Sequence, residues 1–202
     1  MSRGAAAVRN SREDVVRAAG RLFAERGYHG TSMRDLGREL GLLGSSLYSH
    51  VGSKEELLVE VVERGAVLFQ AAADAALAGP GRPEDQFRSL LAGHVAVVLD
   101  HRDEVRTFLY EADALDDDRR ARVIEARDRY ESAFRDVIRR GIGSGTFRAG
   151  LDPKLAAIFV LSILNAIERW YRPEGLLDRQ SLVVELTRFV WEGIGGEPFP
   201  TG

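Results

Sequence analysis

The apolar side chains of this sequence recur at helical spacing along most of its length. The first set stands at positions i, i+4, i+7 and i+8, occupied by Val15, Ala19, Leu22 and Phe23. This spacing places all four on one face of a helix over about residues 11–26. No segment alternates apolar and polar residues with the period of two that a half-buried strand shows. The sequence therefore predicts an all-α fold.

Helix start and stop signals predict short helices in the N-terminal part. Thr31 precedes an apolar stripe, so we expect Thr31 to be the N-cap of a second helix, which Gly41 ends. A third short helix is expected at residues 45–50. Ser53 and Glu56 have the S-x-x-E spacing of a capping box, which predicts the start of a longer fourth helix.

Five further helices are predicted after a loop rich in Gly and Pro at residues 79–83. Asp152 and Pro153 have the order of an N-cap and a first helical residue, and Asp178 can cap the last helix. The sequence thus predicts about nine helices in all. The last five cover about residues 87–98, 105–109, 118–140, 153–171 and 178–194.

The composition excludes several kinds of site. The absence of Cys excludes disulfides, thiolate metal sites and cysteine nucleophiles, and it favours a reducing compartment. The four His are scattered without metal-ligand spacing, so neither a metal site nor a cofactor is predicted. The longest apolar stretch, Leu155 to Leu164, is about half of the ~20 residues that span a bilayer, and the N-terminus lacks the apolar core of a signal peptide. We therefore expect a cytoplasmic protein without a membrane partner.

No arrangement of residues is typical of an enzyme. The segment Gly141-Ile-Gly-Ser-Gly145 follows a predicted helix rather than a strand, so it is not a dinucleotide-binding fingerprint. The acidic run Asp116-Asp-Asp118 is typical of a solvated turn that caps a helix. No nucleophile, base and orienting group can be paired. We therefore do not expect catalysis.

Charge is distributed unevenly between the two parts of the chain. Residues 1–54 carry nine Arg and Lys against five Asp and Glu, whereas the remaining residues carry 19 against 26. A basic N-terminal region on an acidic body favours a nucleic-acid partner that binds near the N-terminus.

Residues 31–57 have the pattern that a DNA-reading helix requires, and they read TSMRDLGRELGLLGSSLYSHVGSKEEL. A helix in the major groove needs small or hydrogen-bonding side chains on its exposed face and apolar ones on the other. Leu47 and Val51 can face inward here, while the outward positions are Gly44, Ser45, Ser46 and Ser49. Thr31 and Lys54 stand at helix N-termini, where free N–H groups suit a phosphate.

This segment resembles the helix-turn-helix signature of the TetR family of transcriptional repressors. The match runs through Thr31, Leu36, Gly41, Leu47, Tyr48, His50, Ser53, Lys54, Glu55 and Leu57. The resemblance implies a three-helix DNA-binding domain followed by a helical domain for ligand binding and dimerisation. It implies two groups of DNA-binding residues. The residues that contact the DNA phosphate backbone are Thr31, Ser46, Tyr48, His50 and Lys54. The residues nearest the base edges are Gly44, Ser45 and Ser49.

Two positions depart from the family's pattern. Leu43 stands where the family usually has a Ser or Thr that caps the recognition helix, and Val51 stands where a bulkier aromatic residue is usual. Losing an N-cap costs about 1 kcal/mol. The recognition helix could instead begin at Ser45, and that start would change which residues reach the bases.

The C-terminal part is similar to a subgroup of TetR-type repressors that control fatty-acid, phenylacetate or steroid breakdown, many of which respond to acyl-CoA thioesters. The similarity lies in residues 127–135 and in Asn165 to Gly175, although the subgroup often has an aromatic residue where Ala166 stands. Such an effector needs an apolar tunnel and cations for its phosphates. The tunnel candidates are Phe108, Tyr130, Phe134, Phe159 and Ile163, and the cation candidates are Arg127, Arg169 and Arg172.

The same residues have a purely structural interpretation. The aromatic side chains can be ordinary core residues, and Arg169 and Arg172 can cap the C-terminus of a helix, whose dipole favours cations. The last two helices are the usual dimer surface of the family, and their apolar stretches need burial against core or partner.

The sequence therefore predicts a ligand-responsive DNA-binding repressor with four regions. They are a disordered basic tail at residues 1–10, a helix-turn-helix domain at 11–55, an effector-binding and dimerisation domain at 56–196 and a tail at 197–202. The expected partners are a double-stranded palindromic operator, a small-molecule effector such as an acyl-CoA, and a second copy of the chain. The alternatives are a multidrug-type sensor of hydrophobic ligands and a helical interaction protein that does not bind DNA.

Overall fold

The computed structural model describes residues 11–195, and the predicted tails at residues 1–10 and 197–202 lie outside these described residues. The described part contains nine α-helices and no strand beyond an isolated bridge between Phe147 and Gly195. The predicted all-α fold of about nine helices is confirmed. The helices are α1 Arg12–Arg26, α2 Met33–Leu40, α3 Gly44–Tyr48, α4 Lys54–Ala76, α5 Pro83–Asp100, α6 Arg102–Tyr110, α7 Asp117–Gly143, α8 Pro153–Trp170 and α9 Arg179–Ile194. A 3₁₀ turn, Ala112–Ala114, lies between α6 and α7.

Polar side chains cap the starts of most helices for which a cap can be assigned. Ser11 and Asp14 form a capping box at α1, and the pKa of the Asp14 carboxyl is lowered because Ser11 donates to it from its backbone N–H and its hydroxyl. The predicted caps Asp152 and Asp178 accept backbone N–H groups at α8 and α9. At α4 only half of the predicted capping box forms. Ser53 accepts the Glu56 N–H, but the Glu56 carboxylate accepts the N–H of Gly52 rather than that of Ser53.

The described residues up to Gly65, together with Asp103–Arg120, form the first of two compact units. It contains α1, α2, α3, the beginning of α4, and α6. Helix α4 lies close against α6 at Gly65, where a Cβ atom would lie 2.7 Å from Cβ of Phe108. The unit therefore extends beyond the predicted domain boundary between residues 55 and 56, because α6 packs on α4 at Gly65. The side chains that are almost fully buried in this unit include Val15, Leu22, Phe23, Leu36, Leu47, Leu57 and Leu58.

Residues Ala66–Arg102 and the described residues from Ala121 onward form the second unit. Helix α5 packs against α8 and α9. A row of edge-to-face aromatic contacts runs through its core, with ring centroids 6.2 Å apart for Phe87 and Phe134, 5.4 Å for Phe87 and Phe147, and 5.7 Å for Phe147 and Trp191.

Gly141 lies in the last turn of α7, which ends at Gly143. A Cβ atom on Gly141 would lie 2.1 Å from the Phe147 ring, so the glycine permits the close approach of that ring to the helix. No helix in the described part of the chain is long and apolar enough to cross a membrane.

Candidate nucleic-acid interface and effector interior

Helices α2 and α3 are joined by a tight turn. Gly41 ends α2 in the left-handed conformation with φ 65°, and the N–H of Leu42 donates to the carbonyl of Gly37 at 2.8 Å. Helix α3 then packs its inner face through Leu47, which is completely buried, and Val51 is buried immediately beyond it. This arrangement is the helix-turn-helix that the sequence pattern predicts.

The outer face of α3 carries polar side chains that solvent can reach. Ser45, Ser46 and Ser49 are exposed, and the Tyr48 side chain is 56% exposed. The predicted position Gly44 is the first residue of α3. His50 is half-buried, and its carbonyl accepts a hydrogen bond of 3.0 Å from the Arg12 guanidinium. Four of the predicted residues, Ser45, Ser46, Tyr48 and Ser49, are therefore accessible to solvent.

Leu43 is the N-cap residue of α3, although its side chain makes no capping hydrogen bond. The carbonyl of Leu43 accepts the N–H groups of Ser46 and Leu47 at 2.9 and 3.1 Å, so the helix starts at Gly44 and not at Ser45. The leucine side chain is 79% exposed beside the polar face.

The sequence suggested Thr31 as the N-cap of α2, but Thr31 does not cap this helix. Ser32 caps this helix in a capping box with Asp35, whose pKa is lowered by the hydrogen bonds from Ser32. The Thr31 side chain is buried instead, and its hydroxyl lies 3.0 and 3.2 Å from the carbonyl oxygens of Gly27 and Leu22. It stabilises the end of α1, where helix carbonyls lack helical partners.

Lys54 also has internal partners. Its ammonium donates to the carbonyls of Tyr28 and Thr31 at 2.9 and 2.8 Å, and it lies 4.0 Å from the centre of the Tyr28 ring. The sequence pattern predicted direct phosphate contacts for Thr31 and Lys54, but the geometry gives both side chains the role of holding the loop between α1 and α2.

A surface groove between α2 and α3 contains basic residues that the sequence analysis did not select. Arg34 and Arg38 are exposed one turn apart on α2, and Arg38 lies 3.6 Å from the Asp35 carboxylate. The sequence did contain a signal for them, since two arginines at i and i+4 stand on the helix that precedes the recognition helix. The groove is lined by Met33, Arg34, Gly37, Arg38, Leu42, Leu43 and Tyr48.

Ion pairs join α1 to α4. Arg12 contacts Glu56 and Glu60, each at 2.8 Å, and Arg64 donates to both oxygens of Glu13 at 2.7 Å. The Arg64 guanidinium lowers the pKa of the Glu13 carboxyl. These pairs are exposed or partly exposed, so they contribute more to orientation than to stability.

The structure divides the predicted effector residues among four locations. Tyr130 and Phe134 are buried in the second unit, and Arg127 is half-buried one turn before Tyr130 on α7. Phe108 is buried in the first unit against Gly65. Arg169 is exposed and pairs with Glu168 at 3.5 Å.

The sequence analysis grouped Phe159 and Ile163 with Tyr130 as lining of one tunnel, but these two residues do not line the interior around Tyr130. They line an apolar surface groove between α8 and α9, and Phe159 is 62% exposed. The reason is helical geometry, since Val160, Leu164 and Ile167 form the inward stripe of α8 and leave Phe159 and Ile163 on another face. Leu155 and Phe189 are exposed in the same groove.

His94 lies beside Tyr130, and the sequence analysis did not select it as a site residue. Its side chain is almost completely buried, and its Nδ1 lies 3.1 Å from the Tyr130 hydroxyl. Burial lowers the pKa of His94 to about 3, although the nearby Asn165 amide opposes this shift, so the imidazole is neutral at physiological pH. Burial also raises the pKa of Tyr130.

Comparison with protein families covers both parts of the chain. A model described as bacterial regulatory proteins, tetR family, matches residues 15–61, and one described as tetracyclin repressor-like, C-terminal domain, matches residues 80–194. The HTH-type transcriptional repressor KstR2 of Mycobacterium tuberculosis is 32% identical over 200 residues, which cover 98% of this chain and 99% of the repressor.

Solved structures share the fold over most of the chain. The ketosteroid transcriptional regulator KstR2 of Mycobacterium tuberculosis has a TM-score of 0.87 at 28% identity and covers 96% of this chain and 100% of its own. AibR in complex with isovaleryl coenzyme A and operator DNA has a TM-score of 0.80 at 23% identity, with 88% of this chain and 96% of AibR covered. The likeness to AibR concerns the fold.

Proposed function

This chain belongs to the TetR family of bacterial regulatory proteins, and we propose that it is a repressor that an acyl-CoA thioester or a similar hydrophobic effector releases from a palindromic operator. It is a ligand-responsive DNA-binding transcriptional repressor and not an enzyme. It binds operator DNA and a small-molecule effector, and it acts as a dimer. We expect it to act in the cytoplasm, where the operator is.

The surface that carries the DNA-binding part of the proposal is the outer face of α3. Gly44, Ser45 and Ser49 would meet base edges in the major groove, and the exposure of Ser45 and Ser49 supports this assignment. Ser46, Tyr48 and His50 would donate hydrogen bonds to phosphates. Thr31 and Lys54 would act indirectly, because they hold the loop that positions α2. Arg34 and Arg38 add the positive charge that a phosphate backbone attracts.

The exposed apolar surface of α8 and α9 would form the dimer interface. Leu155, Phe159 and Phe189 lie on this surface, and each is at least half exposed in the single chain. A contiguous apolar surface of this kind is stabilised by burial against a second copy. A two-fold dimer presents two recognition helices in opposite orientation, so we expect half-sites about 34 Å apart.

The effector would enter the interior of the second unit near Tyr130 and Phe134. The half-buried Arg127, one turn before Tyr130 on α7, would supply the cation for the effector's phosphates. Regulators related to this chain by sequence or fold include a ketosteroid regulator and a protein crystallised with isovaleryl coenzyme A, which supports a CoA thioester with an apolar acyl group. An effector that weakens operator binding 100-fold needs about 2.7 kcal/mol of coupling.

Helix α4 offers a covalent connection for this coupling. Its first half belongs to the first unit and its second half to the second unit. A displacement of α4 caused by the effector would alter the separation of the two recognition helices in the dimer. The effector would then bind the released conformation more tightly than the DNA-bound one.

Fluorescence anisotropy with a labelled palindromic operator tests the proposal. Acyl-CoAs of graded chain length are titrated into the complex, and at least one should release the DNA at micromolar concentration, whereas free CoA should not. Release by an uncharged hydrophobic drug but by no thioester would assign the chain to the multidrug-type sensors. A chain that binds no genomic fragment at any salt concentration would contradict the repressor function itself.

A further inference from the structure

Leu43 is the most exposed large apolar side chain among the described residues of the first unit, with an exposure of 79%. It is the N-cap residue of α3, so it stands at the end of the recognition helix that reaches base edges in a helix-turn-helix protein. It also lines the groove beside this helix together with Arg34, Arg38 and Tyr48. An exposed apolar side chain therefore lies within a surface whose other side chains suit DNA.

Leucine at this position is unfavourable for the stability of the single chain in two ways. A polar N-cap residue accepts an N–H group of the first turn, as Ser32 does at α2, whereas the Leu43 side chain makes no capping hydrogen bond. Its exposed surface also gains nothing from the core, in contrast to Leu47 one turn later, which is completely buried. Residues that break local rules for stability are concentrated at functional sites. Folding alone therefore does not account for Leu43, and a contact with a partner would.

The outer face of α3 has few groups that can identify a base pair by hydrogen bonds. Apart from Leu43, the exposed side chains are Ser45, Ser46, Tyr48 and Ser49, and none of them can form the bidentate contact that Arg, Asn or Gln makes with a purine. The Ser49 hydroxyl already donates to the carbonyl of Ser46 at 2.7 Å, so this hydroxyl can only accept from a base. The major groove offers one apolar group, the C5 methyl of thymine. Leu43 is the apolar side chain at the start of α3 that matches it.

We propose that Leu43 is a specificity-determining residue that contacts the C5 methyl group of a thymine in each half-site of the operator. The positive charge of Arg34 and Arg38 in the same groove favours DNA, and not an apolar protein, as the occupant of this surface. The contact selects thymine because a base without the methyl group buries less apolar surface against the leucine. This inference rests on the proposed function, since it names a feature of the operator that the repressor reads.

The test removes single methyl groups from the DNA. An operator is first selected from a pool of random duplexes with the full-length dimer. Each thymine of a half-site is then replaced by deoxyuridine, which pairs with adenine in the same way but lacks the C5 methyl. Fluorescence anisotropy should show that replacement at one position weakens binding about fourfold, the value of one buried methyl group. The same replacement in both half-sites should weaken binding about fifteenfold, since the two positions are independent.

Variants at position 43 connect this effect to the leucine. Leu43→Ala should bind the thymine and deoxyuridine operators with equal affinity, whereas Leu43→Met should keep the preference for thymine because its side chain is apolar and of similar length. Binding of Leu43→Ala to unrelated DNA should keep its salt dependence, because no phosphate contact is lost. Val67→Ala is the matched control, since it shortens an apolar side chain that is 66% exposed in the second unit, and it should keep the full preference.

Thermal unfolding shows whether each variant is folded. If Leu43→Ala does not fold, Leu43→Ser replaces it in the test, because a serine can cap α3 and removes the apolar side chain as well. Its preference for thymine should likewise be absent.

Two results would overturn the inference. One is a selected operator in which every deoxyuridine replacement binds as tightly as thymine, and the other is a preference for thymine that persists in Leu43→Ala. In both cases the operator is still bound, so the proposed repressor function stands while the role of Leu43 fails. Failure to select any duplex from the pool would contradict the repressor function and this inference with it.

Discussion

The Glu111 carboxylate accepts a hydrogen bond of 2.8 Å from the backbone N–H of Tyr28, a residue 83 positions earlier in the sequence. The two residues belong to the same compact unit. Tyr28 follows Gly27, which ends α1 with φ 75°. The turn after α1 is therefore attached to the segment between α6 and α7 by a side chain that no local sequence signal connects to it.

Glu111→Ala should destabilise the first unit by about 1–2 kcal/mol, because it leaves a partly buried N–H group without an acceptor. It should also weaken operator binding, since the same turn precedes α2. Chemical denaturation and anisotropy measure the two effects. Asp113→Ala is the matched control, because Asp113 is an exposed carboxylate in the neighbouring 3₁₀ turn. Equal behaviour of the two variants would contradict a role for the contact with Tyr28.

Leu43→Ser should raise the free energy of unfolding by about 1 kcal/mol, because a serine at the N-cap of α3 can accept the N–H of Ser45 or Ser46. Ser32→Ala should have the opposite effect, since it removes an existing capping box at α2. Urea denaturation of both variants checks the signs. A destabilised Leu43→Ser protein would show that the exposed leucine has a packing role that the single chain does not reveal.

Lys54→Ala should lower both stability and DNA affinity, because the ammonium binds two loop carbonyls at 2.8 and 2.9 Å. Tyr48→Phe is the comparison, since the exposed Tyr48 hydroxyl can be removed without loss of an internal contact. It should weaken binding to operator and unrelated DNA by similar factors and leave the melting temperature unchanged. A Lys54→Ala protein with unaltered stability and a salt dependence flattened by about one charge would instead place the lysine on a phosphate.

Stability should rise with pH between about pH 3 and 6.5 through His94. Its pKa in the folded protein is about 3 and lies below the ordinary value of 6.5, so the unfolded chain binds a proton in this range and the folded chain does not. The contribution is complete above pH 6.5 and is lost as the pH falls, by about 1.4 kcal/mol between pH 7.5 and 5.5. Denaturation at these two pH values measures it, and His94→Leu should show a correspondingly smaller difference. A variant with the same pH dependence as the unmodified protein would refute this assignment.

Phe159→Glu should convert the dimer into a monomer and abolish tight operator binding, because it places a charge in the apolar groove of α8 and α9. Ile124→Glu is the control, since Ile124 is 50% exposed on α7 and does not line this groove. Light scattering coupled to size exclusion reports the mass. A Phe159→Glu protein that remains dimeric would move the interface elsewhere.

Several features followed from the sequence alone because they depend on neighbouring residues. Helical spacing of apolar side chains predicted the order of the nine helices within a few residues of their ends. Asp152 and Asp178 were identified as N-caps for the same reason, since a cap interacts with N–H groups two or three residues away. The outward serines and inward Leu47 of α3 followed from the period of 3.6.

Contacts between distant residues depended on the tertiary structure. Helix α8 is apolar on nearly every side, so its sequence did not distinguish the face around Val160 and Leu164, which is buried in the second unit, from the face around Phe159, which is exposed. The pairing of His94 with Tyr130 and the attachment of Lys54 to the end of α1 likewise required the helices to be assembled. Periodicity and capping act over about one helical turn, whereas these contacts are set by how whole helices pack, and packing joins residues whose sequence positions carry no common signal.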